Sequence, residues 1–111
     1  MSKKFFDISS YTEEAHSNQA FNNDNNVAIF ALGLSGETGE VADIVKKLLR
    51  NPSMTDEEYD GKIAHLKEEL GDVLWYYTQL LRYFNFDIDE VANLNLDKLR
   101  ARRKDNQLLE R

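Results

Sequence analysis

The chain has 111 residues, enough for one domain with a modest core and too few for two. Hydrophobic residues make up 41% and charged residues 31%, with a net charge of -6; this fits a globular protein and argues against a nucleic-acid backbone or an anionic membrane as the main partner. Cysteine is absent, which excludes disulfides and thiolate metal sites; no stretch has the length and apolarity of a transmembrane helix, and the opening MSKKFFDISSYTEE turns acidic too soon for a signal peptide, so a cytoplasmic protein is expected.

Apolar spacing is helical nearly throughout and no segment alternates with period two, so the expected fold is all-α. A first helix should start near Ser9, capped by Asp7 or Ser9, and carry Tyr11, Ala15 and Phe21. The Asn-rich run from Asn22 to Asn26 reads as a loop. A second helix over about 27–49 puts Phe30, Leu34, Val41, Ile44, Val45 and Leu48 on one stripe and stops at Asn51-Pro52. Thr55 and Glu58 have the spacing of a capping box. They open a third helix to about Phe84, with a stripe of Ile63, Leu66, Leu70, Val73, Tyr77, Leu80 and Phe84. Gly61 weakens its first turns. Asp87 to Glu90 resembles a second box and opens a fourth helix to about Arg103, after which the tail Lys104–Arg111 should fray. Two long antiparallel helices and two shorter ones suggest a single four-helix bundle, completed by homo-oligomerisation as a homodimer or homotetramer. Trp75 projects roughly 180° away from Leu66, so a partner subunit or the first helix is expected to cover it.

Two acid pairs stand out, Glu37-Thr38-Gly39-Glu40 and Glu69-Leu70-Gly71-Asp72. Positions three apart lie side by side on a helix. At about 100° per residue, Glu37 projects about 20° from Phe30, in the middle of the apolar stripe, and Glu40 about 60° further round. Glu69 and Asp72 flank the buried face of the third helix. Unpaired burial of such a charge costs several kcal/mol, so a cation or a basic partner is required. Lys46 and Lys47, nine and ten residues on, project elsewhere than Glu37. All-oxygen ligation suits Mg²⁺, Mn²⁺ or Ca²⁺.

The run GLSGETGEVADIVKK followed by KEELGDVLWYY resembles the MazG-like nucleoside triphosphate pyrophosphohydrolases, which belong to the all-α NTP pyrophosphatase superfamily that also includes dimeric dUTPases. The family pattern of E-x-x-E, a spacer and E-x-x-D is supplied by Glu37, Glu40, Glu69 and Asp72, and the stretch from Asn95 to Arg102 is similar to its N-x-x-K-x-x-x-R block. The resemblance covers about residues 27–102. It implies Mg²⁺-dependent cleavage between the α and β phosphates of a nucleoside triphosphate, giving the monophosphate and pyrophosphate. The four acids would be Mg²⁺ ligands, with Mn²⁺ a substitute. Lys98 and Arg102 would meet the phosphates, with Asn95 helping to place them. By helical projection Tyr76 lies on the side of the third helix that carries Glu69 and Asp72, which leaves two readings, a stack on base or sugar and a core tyrosine. Tyr11, His16, Gln19 and Phe21 are possible base contacts. Some relatives carry a further acid where this chain has Gly36.

Other constellations are weaker. Glu13-x-x-His16 matches half of a di-iron motif, but Lys62 stands where the second copy, ending at His65, would need its acid. Gly33, Gly36 and Gly39 lack the G-K-[ST] of a phosphate loop, and there is no G-x-S-x-G. Two alternatives remain: a non-catalytic, metal-stabilised helical module that senses nucleotide or binds a partner, and a hydrolase of the same fold acting on an alarmone or modified nucleotide.

Overall fold

A computed structural model describes residues 7–17 and 26–105. They form four helices: α1 (Ile8–Ser17), α2 (Asn26–Arg50), α3 (Asp56–Tyr83) and α4 (Ile88–Lys104). The all-α expectation holds, and the ends of α2, α3 and α4 fall within a residue or two of those read from the sequence. Gln19, Phe21, most of the Asn-rich run and the tail beyond residue 105 lie outside the described residues.

The helix ends follow from local hydrogen bonding. Asp7, rather than Ser9, caps α1: its carboxylate accepts from the Ser10 N–H at 2.8 Å, which also holds its carboxyl below the usual range. The α3 box is complete. Thr55 Oγ1 accepts from the Glu58 N–H at 3.1 Å, and Glu58 Oε1 accepts from the Thr55 N–H at 2.9 Å. At α4, Asp87 accepts from the Glu90 N–H at 3.1 Å; only this half of the expected second box forms. The stop of α3 was not foreseen in detail. Asn85 adopts φ 59°, Phe86 N–H donates to the Leu81 carbonyl at 2.8 Å and Asn85 N–H to that of Arg82 at 3.0 Å. This is a Schellman ending with asparagine in the left-handed position that glycine more often takes.

The two long helices pack on one another as an antiparallel hairpin, α1 lies against α3, and α4 has its main contact with α1. The Cα radius of gyration is 17.4 Å, against about 13 Å for a compact domain of this length. Among the described residues the buried apolar side chains are Ala15, Phe30, Ile44 and Leu81, with Thr78 and Gln79 also buried; none of them is on α4. Trp75 is half-buried. Its cover within the chain comes from α2, where Phe30 meets it edge-to-face at 6.2 Å, and from its neighbour Tyr76 at 5.0 Å. Three residues of the expected stripes are more exposed than their spacing implied: Leu70 at 50%, Phe84 at 51% and Val45 at 38%. Periodicity marks an apolar face, but burial needs a neighbour. The Arg82–Glu13 bond puts α1 against the C-terminal part of α3, away from Leu70. Phe84 leaves the stripe at the helix cap, where it stacks on Phe86 at 5.6 Å.

Gly33 sets how closely α2 and α3 approach. The Tyr76 ring lies where its Cβ would be, whereas a Cβ at Gly36 meets nothing within 4 Å. Alanine in a helix interior is favoured over glycine by up to about 1 kcal/mol. Gly36→Ala is therefore expected to stabilise by a few tenths to about 1 kcal/mol. Gly33→Ala, which must displace the ring, is expected to destabilise by about 1–3 kcal/mol. Urea denaturation of the two variants checks the opposite signs.

Candidate active site

The α2–α3 seam places the carboxylates. Glu37 shares the inward face of α2 with Phe30, Gly33 and Ile44, and α3 runs past it in the opposite direction. One oxygen each of Glu37, Glu69 and Asp72 lies within 4.8 Å of the others. Glu37 and Glu69 are half-buried, and Asp72 opens to solvent. Two unit charges at that separation repel by roughly 3 kcal/mol at an effective dielectric of about 20, before solvent screening. Glu37 Oε1 is fully enclosed and accepts no hydrogen bond from any described residue. A hydrogen bond with Glu69 that only the protonated acid makes, then burial, then the charges of Glu69, Asp72 and Glu40 together push the Glu37 carboxyl up to about 7.

Glu40, the fourth acid of the motif, stands outside this trio. It projects further round α2, as its spacing implied, and is exposed, yet it is close enough for its charge to act on Glu37. No lysine among the described residues neutralises Glu37. Lys46 and Lys47 instead pair with Asp43, at 3.5 and 2.9 Å, and the Lys47 hydrogen bond holds the Asp43 carboxyl low. An enclosed carboxylate oxygen without a donor, inside an all-oxygen trio, fits a hard divalent cation.

Other expected residues are distributed along the same seam or away from it. Tyr76 lies one turn beyond Asp72, half-buried on Gly33. Tyr11 comes from α1; burial raises its phenol above the usual range, and the Asp72 charge adds to this. His16 is exposed at the end of α1. Asn95, Lys98 and Arg102 share one face of α4, but that helix rests mainly on α1, and neither Lys98 nor Arg102 pairs with the trio. One neighbour went unassigned in the sequence: His65 Nε2 lies 3.5 Å from Glu69 Oε2. The signal was present, since His65 precedes Glu69 by four residues on one helix.

In the unfolded chain the Glu37 carboxyl ionises near its ordinary value of 4.5; in the metal-free fold it does so at about 7. The fold thus holds a proton that the unfolded chain has lost, so this group's contribution is full below the lower value and disappears as pH rises through the higher one. Metal-free protein is expected to lose melting temperature between pH 5 and pH 8 more steeply than Glu37→Gln. Divalent cation should restore it more at pH 8 than at pH 5, where the proton competes. Thermal melts of both proteins with and without Mg²⁺ give the comparison.

No solved structure matches the chain. It is 42% identical over 74 residues to the Gene 37 protein of Mycobacterium phage L5, a stretch covering 65% of this chain and 61% of the phage protein. Residues 26–106 match the family model of the MazG nucleotide pyrophosphohydrolase domain, and the match holds α2, α3 and α4 with all the acids of the seam. The chain belongs to the MazG nucleotide pyrophosphohydrolase family.

Proposed function

We propose that this chain is a Mg²⁺-dependent, cytoplasmic hydrolase converting nucleoside or deoxynucleoside triphosphates to the monophosphate and pyrophosphate. The observation that carries this reading is the trio of Glu37, Glu69 and Asp72, with its enclosed, unpartnered oxygen. Family membership gives the reaction class.

Glu37, Glu69 and Asp72 would hold the ion, with Glu40 completing the acidic set. When bound, Mg²⁺, or Mn²⁺ in its place, would offset phosphate charge and lower the pKa of an attacking water. A carboxylate of the set takes the proton from that water as its oxygen bonds to the α-phosphorus. The bond from that phosphorus to the oxygen bridging to the β-phosphate breaks, and pyrophosphate leaves. Asn95, Lys98 and Arg102 contact phosphate from α4, Arg102 through a two-pronged bond. Tyr76 meets base or sugar at the other end of the acids. Among the described residues no helix is long and apolar enough to cross a membrane.

The reading includes a homo-oligomer. Phe86 is 54% exposed and Leu94 61%, and no residue of α4 is fully buried within its own chain. A second copy covers these surfaces and brings α4 against a seam. Light scattering is expected to give the mass of a dimer or tetramer, and Leu94→Glu to shift it towards monomer.

Triphosphate and Mg²⁺ should yield pyrophosphate, with no single phosphates, in a coupled assay. Glu69→Gln and Asp72→Asn are each expected to lower kcat at least about a hundredfold while circular dichroism keeps its helical signal. Full activity in either variant would remove those residues from the site. Mg²⁺-dependent melting without turnover of any common, modified or alarmone nucleotide would instead identify a binding module.

A further inference from the structure

The seam continues beyond the acids towards the turn that joins α2 to α3, and its chemistry changes sign. From Tyr76 over Gly33 it passes the carboxylate trio, then His65 beside Glu69, and ends in two recesses that share Lys62 and Asn51. One recess, of about 300 Å³, lies between Lys62 on α3 and Lys47 and Arg50 on α2. The other, of about 430 Å³, runs from Lys62 to His65 and so towards Glu69. Lys62, His65, Glu69, Asp72 and Tyr76 occupy one face of α3, with Lys62 about 10 Å from Glu69 along the helix axis.

These cations are incompletely matched. Lys47 is tied to Asp43 at 2.9 Å, but Arg50 and Lys62 pair with no carboxylate among the described residues. Glu58 stands four residues before Lys62, the usual spacing for an ion pair, yet its carboxylate is committed to the Thr55 N–H at 2.9 Å. The C-terminal dipole of α2 favours Lys47 and Arg50 there. It does not explain Lys62, which sits in the second turn of α3 and faces them. In a chain of net charge -6, this is a local concentration of positive charge.

We propose that this recess is an oligophosphate subsite, in which Lys62 and Arg50, supported by Lys47, hold the terminal phosphates of the substrate while its α-phosphate lies at the acids. The inference rests on the hydrolase reading for its substrate, and adds to the α4 contacts a second anchor built from the helices that carry the carboxylates. The nucleotide then lies lengthwise in the seam, aromatic end to cationic end. The ligand chemistry is a chain of phosphates, either the tail of a nucleotide or a free inorganic anion, and the subsite is assigned to the tail.

Inorganic tripolyphosphate with Mg²⁺ is the probe. In calorimetry the Lys62→Ala/Arg50→Ala double variant is expected to bind it at least about tenfold more weakly, the effect of losing one or more charge-assisted hydrogen bonds. The KM for triphosphate should rise by a similar factor, Lys62→Arg should recover most of the loss, and the Mg²⁺-induced melting shift should be unchanged. Unaltered tripolyphosphate binding and KM in the double variant would overturn the subsite. Inhibition of the wild type by tripolyphosphate that is not competitive with nucleotide would overturn its assignment to the tail. If the wild type turns over no triphosphate, the hydrolase reading fails, whereas calorimetry with the double variant still decides whether the recess binds phosphate chains.

Discussion

Three negative side chains meet across the α2–α3 seam at a distance where like charges repel. Among the described residues this arrangement has no favourable resolution from protein groups alone. Lys46 and Lys47 are turned to Asp43, His65 reaches Glu69 only at 3.5 Å, and the enclosed oxygen of Glu37 finds no donor. Without a cation the remaining option is a proton, which the raised Glu37 carboxyl favours. A proton and a divalent ion therefore compete for one place, and the fold keeps that place by packing two long helices on either side of it.

The placement of the two helices comes from features that have nothing to do with the acids. The complete capping box at Thr55 fixes where α3 begins. Tyr76 on Gly33 and Trp75 on Phe30 fix how it lies against α2. A slip of one residue in α3 would rotate its face by about 100° and scatter Glu69 and Asp72 away from Glu37. The spacing E-x-x-D is thus useful only because the ends and the close contact of the hairpin are set independently.

Much of this was legible in the sequence, and the reason is the regularity of the helix. The direction of Glu37 followed from counting, as did the cap at Thr55 and the separation of Lys46 and Lys47 from the acids. Features that depend on what lies opposite a helix were less legible. Leu70 sits on an apolar stripe yet stays 50% exposed, and the edge-to-face contact of Trp75 with Phe30 was not foreseen from its projection. Asn85 gave little warning of its left-handed backbone, because the sequence signal for that position is usually glycine. The four acids looked equivalent as two pairs. Yet counting already turned Glu40 further round α2 than Glu37, and the crossing of α2 and α3 then leaves it outside the trio.

The least determined element is α4, and its sequence explains why. Ile88, Val91 and Leu99 project to the same face as Asn95, Lys98 and Arg102, while α1 is its principal neighbour in the chain. An amphipathic face states that something covers it without stating what. Here the apolar residues that need cover alternate along one surface with the polar residues expected to touch phosphate. Whatever buries Leu99 must therefore also decide where Lys98 and Arg102 point, so that assembly and substrate contact on this helix cannot be varied separately. The seam of α2 and α3 carries no such coupling: its acids and the cations at its turn are positioned by one hairpin.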